Sequence, residues 1–203
     1  MKSLLYILGG ALALCLPALW NRFPFLFPDS VDYIRLGKPI WEGLTGTPHD
    51  AYGFRSACYT LSILPLHAEA RTVWPVIYAQ ALAVAWLLWR TGQLFQVGPI
   101  RYLLGMLLLG VGTGAGWTTS YLLPDILAST TILATFLLTQ RPHWGVFLIL
   151  VWSIVAHGSH LVLAPILALG ASFFWTWRRA APCWLALVVA IFLQLSLHAR
   201  LYH

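Results

Sequence analysis

The sequence predicts an all-α integral membrane protein of about seven transmembrane helices, with a long first external loop carrying short surface helices. Three observations predict it. The chain is 60% hydrophobic and only 9% charged, whereas a soluble domain carries about 25% charged residues. Its mean hydropathy is +0.77. Its apolar residues also gather into runs of roughly 17 to 25, the length needed to cross about 30 Å of hydrocarbon.

Those runs fall near 3–20, 73–90, 102–117, 121–139, 143–158, 160–177 and 182–198, and residues 1–203 read as one transmembrane domain. For the first run, Lys2 followed by apolar residues and Ala11-Leu-Ala13 also fit a signal peptide. The run to Trp20 is long for a signal core, and Leu14 before Cys15 spoils a lipoprotein cleavage site, so it reads as a retained helix. The third run carries Gly105, Gly110, Gly112, Gly114 and Gly116, weak helix formers that are common where membrane helices pack closely. Cys15, Cys58 and Cys183 form no disulfide framework and no metal spacing.

Alternating the spans from a cytoplasmic Lys2 puts Arg90, Arg101, Arg141, Arg178 and Arg179 in cytoplasmic connections, the positive-inside bias. All six acids then fall on the other face: Asp29, Asp32, Glu42, Asp50, Glu69 and Asp125. His49, His67, His157, His160, His198 and His203 join them, and only His143 lies inside. Acids contribute little to orientation, so their segregation suggests a polar working surface on the non-cytoplasmic side. Glu42, Asp50, His198 and His203 read as ordinary water-facing residues. The +6 formal charge is largely topological and implies no nucleic-acid partner.

The loop 21–72 is too long for a connector. Asp29 to Leu36 reads as one or two helical turns opened by Pro28 and Asp29, with Val31, Ile34, Ile40 and Trp41 placed for the bilayer surface. Gly43 to Pro48 reads as a turn region, and Tyr52 to Leu66 as a short helix dipping into the outer leaflet. Counting that helix as a span would invert every later loop against the positive-inside rule. Arg22, Arg35, Lys38, Arg55 and Arg71 sit in this loop against the same bias.

Asp29-Ser30-x-x-Tyr33 at the head of the loop, Arg55-Ser-x-x-Tyr59-x-Leu61 before the second span, and Leu122-Leu-Pro-Asp125 later on resemble the amino-terminal module of GT-C superfamily membrane glycosyltransferases. Protein mannosyltransferases and aminoarabinose transferases are relatives of that kind. The resemblance implies a donor that is a polyprenyl-phosphate-linked sugar, used on the non-cytoplasmic face, with an acid of the first external loop as catalytic base or acceptor ligand. Asp29 matches that acid; Tyr33 and Arg55 match recurrent positions, and Asp125 the acid at the external start of a later helix. Relatives commonly carry an Asp-Glu pair where Ser30 follows Asp29 here, and continue with further helices.

Transfer from a phosphate-linked sugar needs a base at the acceptor and cations on the leaving phosphate. Asp29 is the candidate catalytic base, with Asp32 on the same helical side. Arg55 is the candidate phosphate ligand because its planar fork matches two oxygens, with Arg35, Lys38 and Arg71 as looser choices. Tyr33, Tyr59, Asp125, His157 and His160 complete the candidate substrate-binding set. Asp29 and Asp125 equally suit helix caps. His157-Gly-Ser-His160 suits a shared helical face or a tight hairpin, binding phosphate or, with Asp125, a divalent ion; no other cofactor is expected.

Gln80 and Gln194 inside spans read as helix-joining side chains. P-loop, GxGxxG, HExxH and GxSxG motifs are absent from the sequence. The expected contacts are membrane lipid, the lipid-linked donor and partner membrane subunits. The second reading, from another class, is a non-catalytic membrane subunit or lipid-binding scaffold of a larger complex. A transporter is weaker, since no charge falls at mid-span.

Overall fold

The computed structural model describes residues 2–46, 55–67 and 71–202, and in them the chain is all-α. His49, Asp50, Tyr52, Glu69 and His203 lie outside the described residues. The helices are α1 (Lys2–Leu14), α2 (Leu16–Trp20), α3 (Pro28–Leu44), α4 (Ala57–Ile63), α5 (Trp74–Leu94), α6 (Pro99–Gly112), α7 (Gly114–Ser120), α8 (Ile126–Gln140), α9 (Trp144–Ala156), α10 (His160–Phe174) and α11 (Trp177–Tyr202).

Each of the seven apolar runs is helical, but two are broken. The first splits at Cys15, because Pro17 has no N–H to give the carbonyl of Ala13. That carbonyl packs instead against Gly110, where a Cβ would collide with it. The third run bends by 77° between α6 and α7. Thr113 sits extended at the break, its hydroxyl donating to the Leu109 carbonyl and accepting from the Ala115 N–H. One helix, Trp177–Leu201 with 25 residues, is long and apolar enough to cross a membrane alone; α6 and α7 pass the same test as a bent pair.

The first-loop helix departs from expectation. Instead of one or two turns, α3 has 17 residues, runs past Pro39 and takes in the first two residues of the expected Gly43–Pro48 turn region, whose last two lie outside the described residues. It ends at Thr45, whose hydroxyl bonds the Trp41 and Glu42 carbonyls, and Gly46 then takes the left-handed conformation at φ +106°. The short helix before the second run is present as α4, continued by a 3₁₀ turn at Leu64–Leu66. Ser56 caps it by accepting from the Tyr59 N–H.

The last helices are packed with small residues inward and large ones outward. In α10, Ala164, Ala168 and Ala171 are buried, while Val162, Ile166, Leu169 and Phe173 are 65, 60, 59 and 83% exposed. In α11, Ala180, Ala186 and Ala190 are buried and Leu185, Val188, Phe192 and Leu195 are exposed. Polar side chains tie the helices together: Thr130 meets Ser153 at 2.5 Å between α8 and α9, and Gln194 donates to the Val155 carbonyl, joining α11 to α9.

Gly110→Ala is expected to destabilise the fold by about 1–3 kcal/mol, since backbone rather than a flexible side chain must yield. Gly105→Ala on the same helix meets open space and is expected to stabilise by about 0.5–1 kcal/mol. Thermal unfolding followed by circular dichroism compares the two; an equal response would refute the close α1–α6 approach.

Candidate functional site

The polar end of the molecule is built on a short pairing between the segment before α3 and the segment after α7. The Phe25 N–H donates to the Ser120 carbonyl at 3.0 Å, and the Leu122 N–H to the Phe25 carbonyl at 3.1 Å. Ser30, fully buried, closes the pairing. Its hydroxyl accepts from the Phe27 N–H and donates to the Leu122 carbonyl, both at 2.9 Å. This locks the first turn of α3 over the segment that carries Asp125.

On the opposite face of that turn, Arg55 reaches both acids. Its Nη2 is bonded to Asp29 Oδ1, and its Nε lies 3.4 Å from Asp32 Oδ2. The three side chains are about a third to a half exposed, so screening limits the pair's contribution to stability to roughly 0–1 kcal/mol. Neither acid that suited a cap behaves as one. Phe27, not Asp29, is the N-cap of α3, and Asp125 stands at the N-cap position of α8 without a side-chain cap bond. Asp125 is exposed.

Behind the acids runs a buried relay. The Tyr33 ring stands edge-on to that of Tyr59, with centroids 4.9 Å apart. The Tyr59 hydroxyl donates to Gln80 Oε1 at 2.7 Å, and Gln80 Nε2 donates to the Tyr121 carbonyl at 3.2 Å. Gln80 thus joins α5 to α4 and to the Asp125 segment. Asp125 lies within electrostatic reach of both Tyr33 and Tyr59. Burial pushes the Tyr33 phenol up to about 12, against the opposing pull of Arg55.

The histidines form a hairpin rather than a helical face. His157 ends α9 in extended conformation, Gly158 and Ser159 turn, and His160 opens α10, with ring centroids 5.4 Å apart. His157 Nδ1 lies 2.8 Å from the Ser159 hydroxyl and 3.3 Å from the Ser159 N–H, which ties the ring to the turn. His160 is 3% exposed and holds the Ser153 carbonyl through Nδ1 at 2.6 Å. That carbonyl and the one at Val155, which takes Ser56 Oγ and Gln194, belong to the last turn of α9. His160 therefore serves the scaffold. No group of three His, Cys, Asp or Glu side chains placed to hold a metal occurs among the described residues.

Of the looser cations, Lys38 pairs with Glu42 at 3.9 Å, and Arg35 and Arg71 are exposed. Ser30, Ser56 and the main chain of 120–122 carry the geometry and went unread in the sequence. Ser56 was legible, as a Ser standing before an apolar helical run; Ser30 was not, because its partner Leu122 is 92 residues away. No protein-family model, curated protein or solved structure matches the chain.

Ser30→Ala leaves the part-buried Phe27 N–H and the buried Leu122 carbonyl without this partner and is expected to cost about 1–3 kcal/mol, read by denaturant unfolding. For Tyr33, the folded value near 12 lies above the free value of 10.0, so the neutral phenol stabilises the fold fully below pH 10, and this is lost as pH rises through 12. Tyr33→Phe is expected to shrink the alkaline loss of stability between those values; an unchanged alkaline profile would contradict the burial of that phenol.

Proposed function

We propose that the chain is a multi-pass membrane protein and a GT-C-like glycosyltransferase module that uses a polyprenyl-phosphate-linked sugar at its Asp29 end, on the non-cytoplasmic side. The observation that carries this reading is the placement of the Arg55 guanidinium between Asp29 and Asp32 on an accessible turn whose backbone is locked to the Asp125 segment.

The membrane placement is supported by the outward-facing large apolar residues of α10 and α11 and by their alanine-lined inner faces. About seven passes are read from the seven apolar runs, four of which hold apolar helices of 10–17 residues. The orientation is supported by Arg90, Arg101, Arg141, Arg178 and Arg179 in the connections opposite the Asp29 end.

In the proposed reaction, Asp29 takes the proton of the acceptor nucleophile as the acceptor–C1 bond forms. The C1–O bond to phosphate breaks, and the phosphate leaves as an anion stabilised by Arg55. Arg55 can turn from Asp32, its longer contact, to phosphate while keeping Asp29 in place. Asp32 then returns the guanidinium after release. Tyr33, buried beneath the acids' turn, keeps its phenol proton at physiological pH and does not compete for that of the acceptor.

The second reading, a non-catalytic membrane subunit or lipid-binding scaffold, is favoured by the commitment of His160 to the α9 end and of Arg55 to two acids. Asp29→Asn separates the two. Transfer from a polyprenyl-phosphate sugar is expected to fall about 10²–10⁴-fold while the ion contact to Arg55 weakens only modestly. Full retention of transfer removes Asp29 as base, and absence of transfer by the wild-type chain with a range of such donors favours the scaffold.

A further inference from the structure

At the end of the bundle opposite Asp29, two arginines from different helices line one cleft. Arg90 comes from the last turns of α5 and Arg141 follows α8; Gln93 and Val146 share the wall. The 15 residues of α8 separate this cleft from Asp125, a rise of about 22 Å.

Neither arginine has a carboxylate partner among the described residues, and the described acids, Asp29, Asp32, Glu42 and Asp125, all belong to α3 and the start of α8. Arg90 is held in place from below: its guanidinium lies 5.9 Å from the Trp86 ring centre. Trp86 in turn packs on His143, which caps α9 by accepting the Gly145 N–H at Nδ1, 3.0 Å away. Val146 belongs to that first turn of α9, so the positive end of a 13-residue helix adds to the two guanidiniums. Arginines closing helix C-termini would satisfy topology and dipole without converging. Arg178 and Arg179 lie in the first turn of α11, at a different connection, and stay outside the cleft.

Size and surroundings define the ligand. The enclosed space is about 20 Å³, room for one small polar group entering head-first and not for a sugar or a base. Two guanidinium forks match the oxygens of a tetrahedral phosphate. Phe95, which follows the lining residue Leu94, and Trp144, two residues before the lining residue Val146, are exposed and supply apolar surface of the kind that acyl chains cover. We infer that the Arg90–Arg141 cleft binds a phosphate oxyanion, carried by an anionic phospholipid headgroup at that end of the bundle or by free phosphate. This site uses none of the residues around Asp29 and stands apart from the transferase reading.

The test uses the full chain in phosphatidylcholine nanodiscs with and without phosphatidylglycerol, with retained lipid counted by native mass spectrometry. Wild type is expected to retain phosphatidylglycerol selectively. Arg90→Gln with Arg141→Gln is expected to weaken that retention by about tenfold or more, since a charged hydrogen-bond partner is lost at each site. Arg90→Lys with Arg141→Lys keeps the charge that governs insertion and should still lose several-fold, because the fork is gone. Arg178→Gln with Arg179→Gln serves as the equal-charge control and should retain the lipid. Competition by inorganic phosphate, beyond that of chloride at matched ionic strength, would support the site with free phosphate as its source. Unchanged binding in the lysine pair, an equal loss in the Arg178/Arg179 pair, or no response of wild type to either phosphate source overturns it.

Discussion

The buried hydroxyl of Ser30 decides what the polar end of this molecule can be. It is fully buried and spends its donor on Leu122 and its acceptor on Phe27, so one atom holds the start of α3 to the segment leading into α8. A buried hydroxyl without partners would cost several kcal/mol on the scale of apolar transfer, so the two segments have little freedom to separate. Asp29, one residue earlier, is thereby fixed above Tyr33 and beside Arg55, and the exposed ion pair inherits a geometry that it is too weakly stabilising to impose.

The rest of the bundle follows a related logic. Its last two helices pack mainly small side chains, with Leu187 as the large one, against the buried Leu137, Leu138, Leu150 and Ile154 of α8 and α9. Close approach and hydrogen bonds add to that burial. The end of α9 illustrates it: Ser56, His160 and Gln194, from three separate parts of the chain, each take a carbonyl of its final turn. The histidine that sequence motif placed beside the substrate is thus bound into the frame, while the residues left half-exposed are Asp29, Asp32 and Arg55.

Charge is distributed along the same axis. Helices α5 and α8 begin near the acids and end near the arginines, and each carries one arginine to the far end. The acidic end keeps its arginine neutralised by two carboxylates, and the basic end leaves two guanidiniums to find an anion elsewhere. Under the two proposals above, the Asp29 end would meet a displaced phosphate transiently and the Arg90–Arg141 end would hold an anion.

The sequence by itself singled out Asp29 and Arg55 as separate candidates, whose ion pair only the structure shows. It determined the helical class and the sites of the seven apolar runs, since periodicity and length are one-dimensional signals. Gln80 and Gln194 as helix joiners were legible for the same reason: a lone amide in an apolar run must find a partner. Tertiary structure alone decided that α3 extends to Leu44, that the third run folds back by 77° at Thr113, and that His160 braces α9. It also decided that Ser30 rather than a cap orders the site, and that Arg90 and Arg141 share a cleft. Each of those depends on which atoms meet across tens of residues of separation, and a hydrogen bond or a close approach has no periodicity to announce it along the chain.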